Sequence, residues 1–576
     1  MRNPSRDDGL ERSHVRHLTA AGSPVPTVVG YNHLYHPLGT HDPADHMAIV
    51  GIDLGTTFCA VAHLDSHGKP VSVPNRDGEV LTPSAIFLTG DGEAVVGQPA
   101  LDVALEQPSK VAMLVKRSMG RPEYPRAVSG RMFRPETLSA IILRKLVQDA
   151  EHSLGPITQA VITVPAYFDD TRRKATMDAG KIAGLDVIDI IDEPSAAALA
   201  YSFQQSAAAN LRPGDLPPDA PKTVLVYDLG GGTFDVTLVR LGKKKFQVLG
   251  IEGDVRLGGK DWDDRLVTHV AELFRQQYGS DPKADEQSLA MLQASAERAK
   301  RTLSKVDQAT ITCTHDGKKM TVPITREQFD TLTRDLLLRT KMTTQTVLKQ
   351  AQLTWDKVDK ILMVGGSTHM PMTGKMLREL TGKDPDRTLA VSEVVARGAA
   401  VHAGIVSARH RPAKLDPHLE DVPELGAPDP VPELADIVEI SVNAHSLGVE
   451  VRQGDELLNN KLVMKNTQLP AAVSRVYYTA RDNQTRVRVR VLQGEAQQAE
   501  ACIPVGECWI EGLAANLPKG SPVQVRCGVA ANGRIEVMAL DMTSGRVAKT
   551  EIHRTGGLED VDIQKEAEWV RGLRIQ

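Results

Sequence analysis

The sequence lacks a long apolar run, an excess of one charge and a paired set of cysteines. Its 576 residues contain no stretch of about 18 uninterrupted apolar residues, so we expect no membrane-spanning helix. The 68 basic and 73 acidic side chains give a net charge of −5, which provides no electrostatic argument for nucleic-acid or membrane partners. Five cysteines, an odd number, predict no disulfide framework. They favour a reducing compartment, and we expect a cytoplasmic location.

The first 46 residues differ in composition from the rest of the chain. They are rich in histidine, with proline and glycine scattered among them and no apolar period. The histidine spacings fit no defensible metal-ligand set. Asp7, Asp8 and Glu11 argue against a transit peptide, because such peptides contain few acidic residues. We therefore expect residues 1–46 to be a disordered extension, followed by Met47 and the first strong strand.

The remainder divides into four segments by pattern. Over residues 47–407, short β-rich runs such as Ala48–Leu54 and Thr223–Tyr227 alternate with amphipathic helical stretches, which predicts an α/β body. Residues 408–441 are proline-rich and predict a linker. Short alternating strands over residues 442–558 predict an all-β region, and residues 559–576 begin a helix.

A strand–turn motif occurs twice in the α/β body. Ile49–Thr57 is an apolar strand that ends in Asp53 and a Gly-Thr turn, and Val224–Asp235 repeats the pattern with three consecutive glycines. Glycine turns present bare N–H groups to phosphate oxygens, and strand-end carboxylates can hold hydrated Mg²⁺. One such turn is structural more often than functional, but two copies suggest two related lobes around a triphosphate. A third glycine turn lies at Val364–Thr368.

These features predict the two-lobed, actin-like ATPase architecture, which by itself does not distinguish chaperones from sugar kinases or filament formers. Three longer motifs make the distinction: Ile162–Asp170, Ile190–Tyr201 and Glu297–Ser304. They closely resemble the heat-shock protein 70 family of DnaK-type chaperones, and the resemblance extends from about residue 47 to 572. It implies a nucleotide-binding ATPase domain followed by a β-sandwich that binds peptides.

The resemblance implies a role for each residue of the phosphate site. Asp53 and Asp228 would hold Mg²⁺ through its waters, and Lys116 would orient the attacking water. Without the resemblance, Lys116 would be interpreted as a solvated lysine at a helix end. The implied catalytic residues are Lys116, Glu193, Asp228, Thr233 and Asp235, and the implied phosphate-binding residues are Gly55, Thr56, Thr57, Gly230, Gly231, Gly232 and Thr233.

The nucleoside site departs from the family pattern at two positions. The implied nucleoside-binding residues are Glu297, Lys300, Arg301, Ser304, Gly365, Gly366, Ser367 and His369. His369 stands where the family has a second arginine against the adenine, and Ser392 replaces an aspartate near the base. A neutral imidazole stacks less well than a guanidinium, so we expect weaker nucleotide affinity.

The segment that couples the two domains also departs from the family pattern. Pro165 and Arg173 match the proline switch and its partner arginine. In the linker, Glu439 interrupts the apolar run and Ser441 replaces an aspartate, so docking would add a charge to desolvate. Asp189 and Asp192 replace residues that face J-domain partners in bacterial members. We therefore expect reduced coupling and altered J-protein recognition.

The all-β region resembles the family's peptide-binding domain. Val449, Tyr477, Val487 and Val489 would line the cleft for an extended apolar peptide, and Ala480 would stand at its arch. From the residues alone, the valines are better interpreted as plain sandwich core. The family's helical lid is absent beyond its first turns in residues 559–576, which predicts faster peptide exchange.

The sequence therefore supports two functional hypotheses. The first is an ATP-hydrolysing chaperone that uses ATP/ADP and Mg²⁺ and binds unfolded polypeptides, with a J-domain co-chaperone and a nucleotide exchange factor as further implied partners. The second is a nucleotide-sensing, peptide-binding scaffold with little turnover. The retained Asp53, Lys116, Glu193, Asp228 and Asp235 favour the first hypothesis.

Overall fold

The computed structural model describes residues 48–410 and 432–576, apart from positions 91, 213, 218, 219, 221, 512, 514, 515, 532, 544, 546, 550–552 and 555–557. The expected N-terminal extension and most of the expected linker lie outside these residues. Among the helices of the described residues, none has both the length and the apolar character needed to cross a bilayer.

The first part of the chain forms a mixed sheet, sheet I, covered by helices. Sheet I has the strand order β3-β2-β1-β8-β9, with β4 paired to β2, while β5, β6 and β7 belong to a smaller sheet. The elements are β1 (Ala48–Asp53), β2 (Phe58–Leu64), β3 (Pro70–Val73), β4 (Thr82–Pro83), β5 (Ala85–Leu88), β6 (Glu93–Val96), α1 (Gln98–Val103), β7 (Val111–Met113), α2 (Pro135–Leu154), β8 (Ile157–Val164), α3 (Asp170–Ile182), β9 (Asp186–Asp192) and α4 (Glu193–Ala208).

The next part forms sheet II, with the order β15-β10-β11-β12-β16. The last of these strands, β16, comes from the linker. The elements are β10 (Thr223–Leu229), β11 (Phe234–Gly242), β12 (Lys245–Asp254), α5 (Gly259–Tyr278), α6 (Glu286–Leu303), β13 (Gln308–His315), β14 (Lys318–Thr325), α7 (Arg326–Leu332), α8 (Arg334–Gln350), β15 (Lys360–Val364), α9 (Pro371–Thr381), α10 (Val394–His410) and β16 (Val438–Ile440).

The two sheets repeat one pairing pattern around the Gly-Thr turns. Strand β1 pairs antiparallel with β2 and parallel with β8, and β10 pairs in the same way with β11 and β15. Helix α10 packs against β1 so closely that a Cβ at Gly51 would lie 2.1 Å from the backbone nitrogen of Ala400. The alternating pattern of the sequence therefore corresponds to mixed α/β content with several sheets, as predicted.

Two further sheets form the β module, residues 447–554. Their orders are β18-β17-β20-β21-β25 and β19-β22-β23-β24. Alternate apolar residues of both sheets share one core, as expected for strands that are half buried. The strands are β17 (Leu447–Gln453), β18 (Glu456–Val463), β19 (Ala471–Tyr478), β20 (Arg486–Gln493), β21 (Ile503–Glu511), β22 (Pro522–Val529), β23 (Ile535–Asp541), β24 (Val547–Lys549) and β25 (His553–Arg554).

The last helix, α11 (Asp560–Gly572), lies in the segment that the sequence predicts to be the start of a lid helix. It packs on α2 and α3, where the Trp569 ring lies 5.4 Å from Phe133 and Arg144 donates a 2.5 Å hydrogen bond to the carbonyl oxygen of Val570. The short strand β26 (Arg574–Ile575) then extends the sheet of β6, β5 and β7. The apolar face of α11 is thus buried against the body of sheet I, which explains why it does not cover the β module.

Candidate functional site

The two Gly-Thr turns approach each other from sheets I and II. A Cβ at Gly231 would lie 2.5 Å from Cγ2 of Thr57, and one at Gly232 would lie 2.5 Å from Cγ2 of Thr56. Such distances are shorter than van der Waals contact, so only glycine allows this approach. The second turn is closed by a 3.0 Å hydrogen bond from the Gly230 N–H to the carbonyl oxygen of Thr233. The structure therefore brings both predicted phosphate turns to one place.

A lysine and four carboxylates lie beside these turns. Lys116 is 5% exposed and donates a hydrogen bond to Oε1 of Glu193. Asp53, at the end of β1, accepts a 3.1 Å hydrogen bond from the hydroxyl of Thr163. Asp228 lies near the end of β10, as Asp53 lies at the end of β1, and it is paired with Asp235 on β11. The predicted catalytic and metal-binding carboxylates thus surround one buried ammonium group.

The charges in this cluster are not balanced. Burial, and then repulsion from Glu193, raises the pKa of Asp53 to about 7, although Lys116 and Thr163 act in the opposite direction. The same two causes hold the pKa of Asp228 and that of Asp235 well above the usual range. Burial alone would lower the pKa of Lys116, but Glu193 and Asp53 outweigh it and raise that pKa. The cluster therefore has more negative charge than its own lysine can neutralise.

An added cation would relieve this imbalance, so the donor set fits a divalent ion with oxygen ligands. Mg²⁺ usually keeps several waters and takes only one or two carboxylates from a protein. No group of three or more His, Cys, Asp or Glu side chains is placed to hold a metal ion within the described part of the chain.

The third glycine turn lies against the second. Ser367 donates a 2.8 Å hydrogen bond to the carbonyl oxygen of Gly230. Gly365 has a φ of +83°, and a Cβ there would lie 2.5 Å from Oδ1 of Asp228. Lys300 also lies near this turn. A Cβ at Gly259 would lie 3.0 Å from Nζ of Lys300 and 2.3 Å from Oγ of Ser367. The structure therefore joins part of the predicted nucleoside set to the phosphate turns.

The predicted nucleoside residues on α6 form ion pairs with nearby side chains. Lys300 forms a 2.8 Å ion pair with Asp263, and Arg301 forms a 2.6 Å ion pair with Glu297 one helical turn away. The Arg301 guanidinium also lies 5.6 Å from the ring centre of Phe58, directly after the first turn. Ser304 donates to the carbonyl oxygen of Lys300, while Gly366 and His369 are exposed.

Arg173 forms hydrogen bonds with the backbone next to Pro165. It donates to the carbonyl oxygens of Phe168 and Ala166 at 3.1 and 3.2 Å, and to Oδ1 of Asp192 at 2.5 Å. Pro165 is buried within this turn, and its carbonyl oxygen accepts from the N–H of Phe168. Arg173, on α3, is therefore hydrogen-bonded to the loop that contains Pro165, so the two residues predicted to relay nucleotide state lie together.

Tyr167 connects this loop to both the carboxylate cluster and the β module. Its N–H donates to Oδ1 of Asp235 at 3.0 Å, and its carbonyl oxygen lies 3.0 Å from Nε2 of His445. Burial lowers the pKa of His445, which favours the neutral ring as donor. Lys465 of the β module contacts the Tyr167 hydroxyl at 3.2 Å and Glu252 at 2.6 Å. A single residue thus separates a predicted catalytic carboxylate from the β module.

The predicted peptide-binding residues lie in the interior of the β module. Val449 and Val487 are 0% exposed, Val489 is 1% and Tyr477 is 2% exposed, and all four belong to the shared core. In this conformation the four residues are sandwich core, and their role in lining a peptide cleft stays a prediction. Ala480 is partly buried and its N–H donates to Oε1 of Gln484.

Three residues close to these sites were not predicted from the sequence. Thr163 bonds Asp53, and Arg117 donates to the Gly232 carbonyl oxygen at 3.1 Å and to Asp261 at 2.6 Å. Arg117 directly follows Lys116, so the sequence does show a second basic residue beside the predicted lysine. His402 lies between Asp189 and Glu439, which are 213 and 37 positions away, and no local pattern could reveal this contact.

One comparison with known proteins bears on these sites. The family model described as Hsp70 protein matches residues 49–570 of the chain. The match includes both Gly-Thr turns, the carboxylate cluster, the linker strand and the β module. It covers far more than half of the 576 residues and confirms the resemblance on which the site prediction depends.

Proposed function

The chain belongs to the Hsp70 family, and from this premise we propose that it is an ATP-hydrolysing molecular chaperone that binds extended apolar segments of unfolded polypeptides. Membership of the family supports a chaperone role in general. The observation that carries the proposal is the approach of two Gly-Thr turns beside Lys116 and an undercompensated carboxylate cluster. Two such turns and one buried lysine suit a triphosphate and the water that attacks it.

In this proposal the two Gly-Thr turns bind the phosphates and Lys116 positions the attacking water. Backbone N–H groups and hydroxyls of Gly55–Thr57 and Gly230–Thr233 would hold the phosphate oxygens. Lys116, fixed by Glu193, would orient the attacking water and offset charge on the γ-phosphate. Hydrolysis then needs little covalent work from the protein, because orientation and electrostatic stabilisation lower the barrier. Glu193 and Asp235 would accept hydrogen bonds from that water.

The carboxylates Asp53 and Asp228 would hold Mg²⁺ through its waters, and the ion would neutralise charge on the phosphates. On the nucleoside side, Lys300, Arg301 and the third turn would contact the ribose and adenine. The exposed His369 is consistent with weaker stacking on the base than an arginine would give.

Peptide binding requires a change in the β module. The residues that would contact a peptide are buried in the shared core, so an extended segment can reach them only when the module opens. The contacts of Tyr167 with Asp235 and with Lys465 of the β module support a route by which nucleotide would favour or oppose that opening. J-domain proteins and exchange factors would be the corresponding partners.

Steady-state ATP hydrolysis by the full chain, with and without a Leu-rich extended peptide, tests the proposal. We expect slow hydrolysis that the peptide accelerates, with peptide binding measured separately by fluorescence anisotropy. Hydrolysis unaffected by a bound peptide would retain the ATPase and contradict the coupling. Bound ATP with no hydrolysis would contradict the proposed activity and favour the scaffold hypothesis.

A further inference from the structure

The linker docks on sheet II through backbone pairing and through buried apolar residues. Strand β16 pairs parallel with β12, and the Val438 N–H donates a 2.8 Å hydrogen bond to the carbonyl oxygen of Lys244. Ile437 is fully buried, whereas Val438 is 49% exposed. Leu434, earlier in the linker, is fully buried as well, so apolar burial supports docking. Glu439 adds a charge to the docked strand, and its partners must therefore be explained.

Glu439 meets a histidine that also reaches sheet I. Nδ1 of His402, on α10, lies 2.9 and 3.0 Å from the two carboxylate oxygens of Glu439. Its Nε2 lies 3.1 Å from Oδ2 of Asp189 on β9. His402 is 9% exposed, so water contributes little to this arrangement. One imidazole ring thus connects the linker at the edge of sheet II with the edge strand of sheet I.

Only the doubly protonated ring can donate both hydrogen bonds. A neutral imidazole has one N–H and one lone pair, and a lone pair facing a carboxylate oxygen is repulsive. The imidazolium has two N–H donors, one for each carboxylate. The geometry therefore requires His402 to be a cation while the linker is docked. The imidazolium also offsets the desolvation cost expected for Glu439, because docking pairs this carboxylate with a cation.

We propose that His402 is a positioning residue that, as an imidazolium between Asp189 and Glu439, holds the linker on the nucleotide-binding body and makes docking of the linker take up a proton. The three residues act as one unit: Glu439 supplies the linker's charge, His402 the proton and Asp189 the anchor on sheet I. This goes beyond the proposed function, because docking can be observed whether or not ATP is hydrolysed.

The surrounding charges agree with this assignment. Asp192 lies on the same strand as Asp189 but is paired with Arg173 at 2.5 Å. Arg409, on the same helix as His402, is 4.0 Å from Glu439 and donates to the carbonyl oxygen of Ile437. Burial would lower the pKa of His402, but Glu439 and Asp189 outweigh it and raise the pKa to about 10.

The sign of the pH dependence follows from this raised pKa. A histidine freed from Glu439 loses part of its stabilisation, so its pKa lies nearer the ordinary value of about 6.5. The docked state then binds more protons than the undocked state between about pH 6.5 and about pH 10. Docking is fully supported at the low end of this window and weakens as pH rises, by up to about tenfold per pH unit for one whole proton.

Hydrogen exchange of the Val438 amide in the full chain measures docking directly. After correction for intrinsic exchange, we expect its protection to fall between pH 6.5 and pH 9 in the wild type, by up to about tenfold per unit. His402→Gln should reduce protection by about tenfold or more, because Asp189 and Glu439 then face each other without a cation. Amides in the centre of β11 serve as the internal reference for global opening.

Two further variants keep the test decisive. Glu439→Gln leaves the body of the protein untouched and should remove the pH slope even if His402→Gln does not fold. His152→Gln changes an exposed histidine on α2 and should behave as the wild type. A flat wild-type profile, or a slope that survives in Glu439→Gln, would overturn the proposal.

Discussion

Two clusters of buried charge in this molecule are balanced in different ways. Beside the Gly-Thr turns, Asp53, Glu193, Asp228 and Asp235 share the cation Lys116, and burial and mutual repulsion raise the pKa of three of these carboxyls. At the linker, Asp189 and Glu439 share His402, and Arg409 is close to Glu439. In the first cluster the carboxyl groups outnumber the neighbouring cation, whereas in the second the two carboxylates face two cations of the chain.

The difference indicates what each cluster is for. A site that awaits a charged ligand gains most by being unbalanced until the ligand arrives, because binding then relieves the repulsion. A contact between two parts of one chain gains by being balanced when the parts meet. We therefore expect the first cluster to respond to nucleotide and Mg²⁺, and the second to respond to pH and to the position of the linker.

Removing Lys116, the cation of the first cluster, should have the largest effect. We expect Lys116→Met to lower ATP turnover by about 10²- to 10³-fold, because a preorganised charge at the reacting phosphate is lost. Single-turnover hydrolysis separates this loss from changes in nucleotide affinity, which should be smaller. Lys181→Met, at an exposed position on α3, is the matched control. Turnover within a few fold of wild type would contradict the role proposed for Lys116.

A third contact, between α11 and the body of sheet I, sharpens the comparison because rings and backbone groups hold it. The Trp569 ring contacts Phe133, and the Arg131 guanidinium lies 4.4 Å from the Trp569 ring centre. We expect Trp569→Ala to lower the free energy of unfolding by about 2 kcal/mol, less than for a fully buried tryptophan. Urea denaturation measures this loss, which should not vary between pH 6.5 and 9.

Arg574→Ala provides the control for α11. Arg574 is exposed and its ion pair with Glu93, at 2.7 Å, is solvated. Surface ion pairs contribute about 0–1 kcal/mol, so this change should be nearly silent. If Trp569→Ala also left the free energy of unfolding unchanged, α11 would be a helix that leaves the body easily, as a lid does. Its packing on α2 and α3 would then not be its principal position.

The two Gly-Thr turns could be predicted from sequence because their signals are local. Asp53 and Gly55–Thr57 are adjacent in the chain, and glycine, threonine and a strand-end aspartate specify a turn and its chemistry together. The family resemblance then placed Lys116 and Glu193 beside them, and the structure has the two in contact. Local chemistry and long motifs therefore suffice for this part of the site.

The remaining features depend on distant contacts, which one sequence does not reveal. Glu439 alone indicates a charge that is costly to bury, and only His402 and Asp189 show how it is paired. The short helix α11 has an apolar face in any case, and tertiary packing decides that α2 and α3 cover it. Val449 and Val487 fit either a cleft or a core by pattern, and packing in this conformation makes them core.

A change at Asp53 tests whether the first cluster is destabilising without its ligand. The pKa of Asp53 is raised from about 3.8 to about 7, so the folded state binds more protons than the unfolded state in that interval, and stability falls as pH rises through it. We expect Asp53→Asn to increase the free energy of unfolding of the nucleotide-free protein by about 1 kcal/mol at pH 8 and by less at pH 5.5. Thermal unfolding with and without Mg²⁺ and ADP checks this, because the variant should lose most of the stabilisation by ligand.

The smallest effect is expected at Val438, where the family pattern would predict a large one. An apolar linker would be held by burial, and shortening any of its side chains would then weaken docking. Here Val438 is 49% exposed and Ile437 is fully buried. Val438→Ala should therefore change docking by less than about 0.5 kcal/mol, whereas Ile437→Ala should cost about 2 kcal/mol or more. Protection of the β16 amides from exchange measures both, and equal losses would mean that Val438 is buried in the docked linker to the same extent as Ile437.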